Sequence, residues 1–113
     1  MANSLLIDPY KEEITLVQWD RSLNHLLELI DCKFMERITD FSRQVLYVDG
    51  EGALPEPPKK GIWIYKLQFI EPIPVVLYGK AMLCRESKGK NPRILPLKKT
   101  PLQLKAELGW ETS

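Results

Sequence analysis

The stretch from Leu5 to Trp19 constrains this chain most. Leu5-Leu6-Ile7 is an apolar run that stops at Asp8-Pro9. A short charged turn follows, and Ile14-Thr15-Leu16-Val17-Gln18-Trp19 returns with β-branched and aromatic composition. Proline holds φ near about −65° and aspartate can bond its own backbone two residues on, so Asp8-Pro9 suits a turn. The pattern predicts an N-terminal β-hairpin. It carries no chemistry, but it sets the class of fold.

Further along, Asp20 to Asp31 reads as a helix. Leu23, Leu26, Leu27 and Ile30 recur at i, i+3, i+4 and i+7, and Asp20 is the expected N-cap. Phe34–Ile38 and the more strongly β-prone Gln44–Val48 are predicted strands, the second stopping at Asp49-Gly50-Glu51-Gly52. Residues 53–61 form a proline-rich exposed loop with Pro55, Pro57 and Pro58. Ile62–Ile70 has strand composition, with Trp63, Tyr65, Leu67 and Phe69 on one face. Val75–Arg85 is expected as one long central strand, bulged at Gly79, and Arg93–Leu97 as a short edge strand because Pro96 suits an edge. Thr100-Pro101-Leu102-Gln103 is a capping box opening a second helix, with Leu104, Leu108 and Trp110 as its apolar stripe and Gly109 as its C-cap. The expected fold is α+β: one mostly antiparallel sheet of about five to six strands with two amphipathic helices, in the order ββαββββα, as a single domain over residues 1–113.

A chain of 113 residues can bury about two-thirds of its unfolded surface, enough for a core without metals or disulfides. Its hydrophobic fraction of 44% and charged fraction of 27% are those of a folded domain, not a disordered one. Cys32 and Cys84 lie far apart, each in an apolar stretch, and are expected to be reduced thiols. The N-terminus lacks a basic region followed by a long apolar run, and no apolar run approaches the roughly 20 residues of a membrane span. A cytoplasmic protein with no membrane partner is therefore expected.

Net charge is +1, but its distribution is uneven. Residues 1–58 carry 5 Lys/Arg against 11 Asp/Glu, and residues 59–113 carry 11 against 4. Two readings are open: an electrostatic binding face, or two halves that pack together and neutralise each other. The cations concentrate at Lys80, Arg85, Lys88, Lys90, Arg93, Lys98 and Lys99, opposed within that stretch by Glu86 alone. Gathered on adjacent strands they would suit phosphates; spread out, they would only keep an edge strand from aggregating. Trp63, Tyr65 and Tyr78 could stack on bases beside them, or belong to a core or subunit interface.

No catalytic constellation is legible. His25 is the only histidine and sits beside the leucine stripe. The cysteines form no C-x-x-C pair, Asp49-Gly50-Glu51-Gly52 is shorter than a calcium loop, and Lys88-Gly89-Lys90 lacks the context of a phosphate-binding loop. A hydrolase or transferase built on Asp49, Glu51 and Lys80 is the weakest reading. No metal and no cofactor are expected.

The order of pieces resembles a family of short phage and bacterial proteins classed only as a domain of unknown function. The resemblance rests on Leu6-Ile7-Asp8-Pro9, the charged strand and helix from Ile14 to Ile30, the Val48-Asp49-Gly50-Glu51-Gly52 turn, and Tyr78-Gly79-Lys80-Ala81-Met82-Leu83 after a proline-rich loop. It spans most of residues 5–84. The Ile62–Ile70 strand is longer and more aromatic than the family pattern. The resemblance offers no site residues; it implies phages and mobile elements, where small proteins act by binding host components. The expectation is a non-catalytic binding protein, acting in the host cytoplasm. It would sequester or inhibit an anionic partner (a nucleotide or a defence protein) through Lys80, Arg85, Lys88, Lys90, Arg93, Trp63 and Tyr65. The alternatives are a nucleic-acid-binding module and a structural protein with no ligand. The aromatic 62–70 strand also predicts a homo-oligomer.

Overall fold

Asp8 makes the predicted turn: its Oδ1 accepts the amides of Tyr10 at 2.9 Å and Lys11 at 3.3 Å. The computed structural model describes residues 3–39, 44–50, 61–64, 76–87, 89–91, 93–98, 100–106 and 108–110. In it β1 (Ser4–Asp8) and β2 (Glu13–Val17) pair antiparallel, Leu5 opposite Leu16 and Ile7 opposite Ile14. The Asn3 side chain closes the open end of the hairpin. It donates to the Trp19 carbonyl at 2.8 Å and accepts the Trp19 amide at 3.0 Å.

The first helix, α1 (Leu23–Leu29), begins later than its periodicity implies. Ser22, not Asp20, is the N-cap, its hydroxyl accepting the His25 amide at 3.1 Å. Asp20 Oδ1 accepts the Ser22 amide at 2.8 Å instead. The displacement has a backbone cause. Arg21 takes φ +71°, a left-handed turn that cannot lie inside a right-handed helix. The helix stops where Asp31, at φ +52°, turns left-handed again.

After α1 come β3 (Met35–Thr39), β4 (Gln44–Asp49), β5 (Gly61–Ile64), β6 (Val76–Tyr78), β7 (Ala81–Glu86) and β8 (Ile94–Leu95). The chain ends with α2 (Pro101–Lys105) and β9 (Leu108–Trp110). Six strands make one antiparallel sheet in the order β2-β1-β7-β4-β3, with β8 also paired to β7. A second, three-stranded sheet has the order β6-β5-β9. The fold is α+β, as expected, but the element order is ββαββββββαβ.

Two expectations are corrected here. The stretch read as one strand, Val75–Arg85, splits at Gly79, whose φ of +84° turns the chain from the small sheet into the large one. The C-terminal helix keeps its capping box, Thr100 Oγ1 accepting from Gln103 and Gln103 Oε1 from Thr100, but it ends by Ala106. Leu108, Gly109 and Trp110 are not its stripe and cap. They form β9 opposite Ile64, Trp63 and Ile62, taking the second edge of β5. Both edges of β5 are thereby used within the chain, so Gly61–Ile64 is no open edge for a second copy. Tyr65–Ile70 and residues 53–60 lie outside the described residues.

At β4 and β7 both faces of the large sheet are buried, which is why Val45–Val48 and Ala81–Cys84 read as unbroken apolar runs. Leu5, Ile7, Leu46, Val48, Ala81 and Leu83 face Leu77 and Leu104 of α2. Val45, Tyr47, Met82 and Cys84 face Trp19, Leu26 of α1 and Ile30, the residue that caps its C-terminus. Among the described residues, no helix is long and apolar enough to cross a membrane.

Candidate anion-binding site

Among the described residues, the predicted cations do not assemble as one set. Lys80 precedes β7 and Lys90 lies in the turn after it; a six-residue strand of about 20 Å separates them. Arg85 alternates with Glu86 and so lies on the α2 face, where its Nη1 donates to the Pro96 carbonyl at 2.9 Å. Its guanidinium ties down the chain after β8. Lys90, Arg93 and Lys98 are exposed, Lys90 and Arg93 sharing the β7–β8 turn. The Arg93 amide donates to Ser87 Oγ at 2.8 Å, fixing that turn. Lys88, Lys99, Tyr65 and the Trp63 side chain lie outside the described residues.

A different pair of cations does converge, and around a carboxylate. Glu86 ends β7 on the same face as Met82 and Cys84, so the alternation of a strand carries it into the α1-side core; its side chain is 2% exposed. Tyr47, on β4, points to that face and donates its hydroxyl to Glu86 Oε2 at 2.5 Å. The Cys84 thiol donates to the same oxygen at 3.9 Å. Arg37, on the neighbouring β3 directly opposite Tyr47, places Nε 3.7 Å from Oε2. Arg21 comes from the β2–α1 connection and places Nη2 3.6 Å from Oε1. Its backbone is left-handed, and its guanidinium lies 5.7 Å from the Trp19 ring centroid. Trp19 is itself fixed, edge-on to Tyr47 at 5.2 Å and with its indole N–H donating to the Ser22 carbonyl at 3.0 Å.

The electrostatics follow from this geometry. Both Glu86 oxygens are engaged, and among the described residues no buried side-chain polar atom lacks a hydrogen-bond partner. Burial, and then the hydrogen bond to Glu86, push the Tyr47 phenol well above its ordinary range. Burial, and then the Glu86 charge, push the Cys84 thiol up to about 12, so it is not a nucleophile near neutral pH. Glu86 balances one of the two arginine charges, and the Arg21 and Arg37 side chains remain 34% and 45% exposed. The result is a pair of partly exposed guanidinium groups held beside one buried carboxylate.

These contacts join the chain's halves in an unexpected sense. They match an acid from the basic half to two bases from the acidic half. The surplus of each half is left for other contacts or for solvent.

The pair was not read from the sequence. The available signal was Glu86 itself, two positions after Cys84 and four after Met82, just past the end of the strand expected over Val75–Arg85. A carboxylate in a buried row demands cations, and the demand does not say which. Arg21 and Arg37 meet it from 65 and 49 positions earlier in the chain. The other candidates stay local. His25 Nδ1 accepts the Asp20 amide at 3.3 Å in the helix cap. Asp49 ends β4 opposite Met35. Among the described residues, no three His, Cys, Asp or Glu side chains come together to hold a metal ion. Compared with protein-family profiles, with curated proteins and with solved structures, the chain matches none.

Proposed function

We propose that this is a non-catalytic binding protein that captures an anionic partner. The Arg21–Arg37 pair over Glu86 is the recognition site. The observation that supports it is one arrangement: two half-exposed guanidinium groups oriented by a carboxylate too buried to meet the partner. Arginine forks held in advance lose little freedom on binding carboxylate or phosphate oxygens. The chemistry around them is inert, since the phenol and thiol within reach of Glu86 both hold their protons. The setting we propose is a phage or mobile element, on the resemblance of Leu6–Pro9, Val48–Gly52 and Tyr78–Leu83, with a small host anion or an acidic host protein as partner.

Calorimetric titration at low salt tests this with a panel of inorganic anions, nucleotides and acidic peptides. Binding by the wild type, lost in the Arg21→Ala/Arg37→Ala double variant, is the expected result. No heat with any anion at low ionic strength overturns the proposal.

The exposed Lys90, Arg93 and Lys98 favour a second reading, direct nucleic-acid binding. It requires a steep loss of affinity with salt for DNA or RNA. It also requires sensitivity to charge removal at those three positions, not at Arg21 and Arg37.

A further inference from the structure

Independently of the anion site, we infer that this chain pairs with a second copy of itself through the open edge of β2. The two β2 strands run antiparallel about a two-fold axis at Thr15, so that the large sheet continues from one copy into the next.

β2 ends the strand order of the large sheet, and among the described residues it pairs with β1 alone. An open edge presents a row of unpaired backbone donors and acceptors, which proteins guard with charge, proline or a bulge. Over Ile14-Thr15-Leu16-Val17 β2 has no charge and no proline, and its register with β1 runs unbroken from Glu13 to Val17. β3, at the other end of the order, carries exposed Glu36 and Arg37 at its middle. A two-fold axis at either of those would set a charge against itself. The β2 edge is also apolar where it meets solvent. Leu16 is 54% exposed, and Leu102, on the helix that packs against β2, is 79% exposed.

Self-complementarity selects a second copy as the occupant. A two-fold contact uses one patch twice, so the strand must fit itself read backwards. With Thr15 on the axis, Ile14 lies opposite the partner's Leu16 and Leu16 opposite the partner's Ile14. Glu13 and Val17 are exchanged in the same way, and no charge meets a like charge. An axis at Leu16 would set Ile14 against the partner's Gln18, and one at Ile14 would set Leu16 against the partner's Glu12. Of the three, only the axis at Thr15 keeps both apolar side chains against apolar ones. Leu16 and Ile14 already lie opposite Leu5 and Ile7 of the α2-side core and share that face. Two apolar rows therefore cross the seam, each running from Leu5 and Leu16 of one copy to Ile14 and Ile7 of the other. On the opposite face the two Thr15 hydroxyls meet as a hydrogen-bonding pair. The seam is one strand wide, so the association is weak and depends on concentration.

Sedimentation velocity on the full chain from about 5 µM to about 500 µM tests this. The mass is expected to rise with concentration from 13.1 kDa towards twice that value. Thr15 is exposed, so Thr15→Lys and Thr15→Glu are each expected to keep the urea midpoint near wild type. Each sets like charges across the axis and is expected to weaken association by about tenfold or more. An equimolar mixture of the two variants opposes an ammonium to a carboxylate and is expected to restore association as a heterodimer. A chain that stays monomeric throughout overturns the proposal, whatever other strand its edge accepts. A dimer untouched by either variant overturns it, and so does a mixture that associates no better than the variants alone.

Discussion

The Tyr47 hydroxyl donates to Glu86 Oε2 at 2.5 Å, from the adjacent strand into the core beneath α1. This bond and the two arginine contacts satisfy a charge that the strand's alternation places out of water. They are not equivalent. The arginines lie at 3.6 and 3.7 Å and are more than one-third exposed, so solvent screens them, and their net worth is in the range of about 0–1 kcal/mol. Removing the phenol leaves a buried acceptor short, at about 1–3 kcal/mol. Tyr47→Phe is therefore expected to destabilise the fold more than Glu86→Gln, which keeps an acceptor for the phenol. Urea unfolding of the two variants checks the order.

Stability should decline at alkaline pH, and the sign follows from the two raised groups. Above its ordinary value of 9.0 the Cys84 thiol loses its proton in the unfolded chain but keeps it in the fold, where it is held up to about 12. Tyr47 does the same above 10.0. Their contribution is intact below pH 9.0 and falls as pH rises beyond it, by at most about 1.4 kcal/mol per pH unit for each group. Urea midpoints at neutral pH and at about pH 10 give the slope, and Cys84→Ala should flatten it.

Gly79 is where one apolar run becomes two strands of different sheets. At φ +84° an L side chain is strained, so Gly79→Ala should cost about 1–2 kcal/mol in a thermal or urea melt. An unchanged melt would mean that the turn between β6 and β7 tolerates another backbone path.

Arg21 combines a left-handed backbone with two side-chain contacts, and a pair of substitutions separates them. Arg21→Ala and Arg21→Gly both lose the Glu86 contact and the Trp19 stack. Glycine also relieves about 1–2 kcal/mol of left-handed strain, against about 0.4–1 kcal/mol of added freedom in the unfolded chain. Arg21→Gly should thus be the more stable of the two in urea unfolding. The reverse order would show that φ at this position relaxes once the guanidinium is gone.

Much of the local chemistry was legible, although the α1 cap fell to Ser22 and not Asp20. Asp8 makes its turn, Thr100 and Gln103 make their capping box, and Pro96 follows an edge strand, because each depends on residues within four positions. The strand composition of β4 and of β7 was legible too. The site was not legible: the expected strand stopped at Arg85, one residue short of Glu86, and the two arginines that reach it lie far from the seven cations near it in sequence. Arg85 is its chain neighbour and points away.

The Asp8 turn, the α2 capping box and strand composition follow from the order of residues because their energies are settled between near neighbours. Which runs pair, where an unbroken apolar stretch divides, and which arginines meet a buried carboxylate depend on contacts that exist only after packing. Desolvation is the reason. Glu86 leaves water when α1 and Trp19 cover the sheet, and the guanidinium groups that the covered sheet and the Arg21 turn bring within reach, Arg21 and Arg37, become its partners.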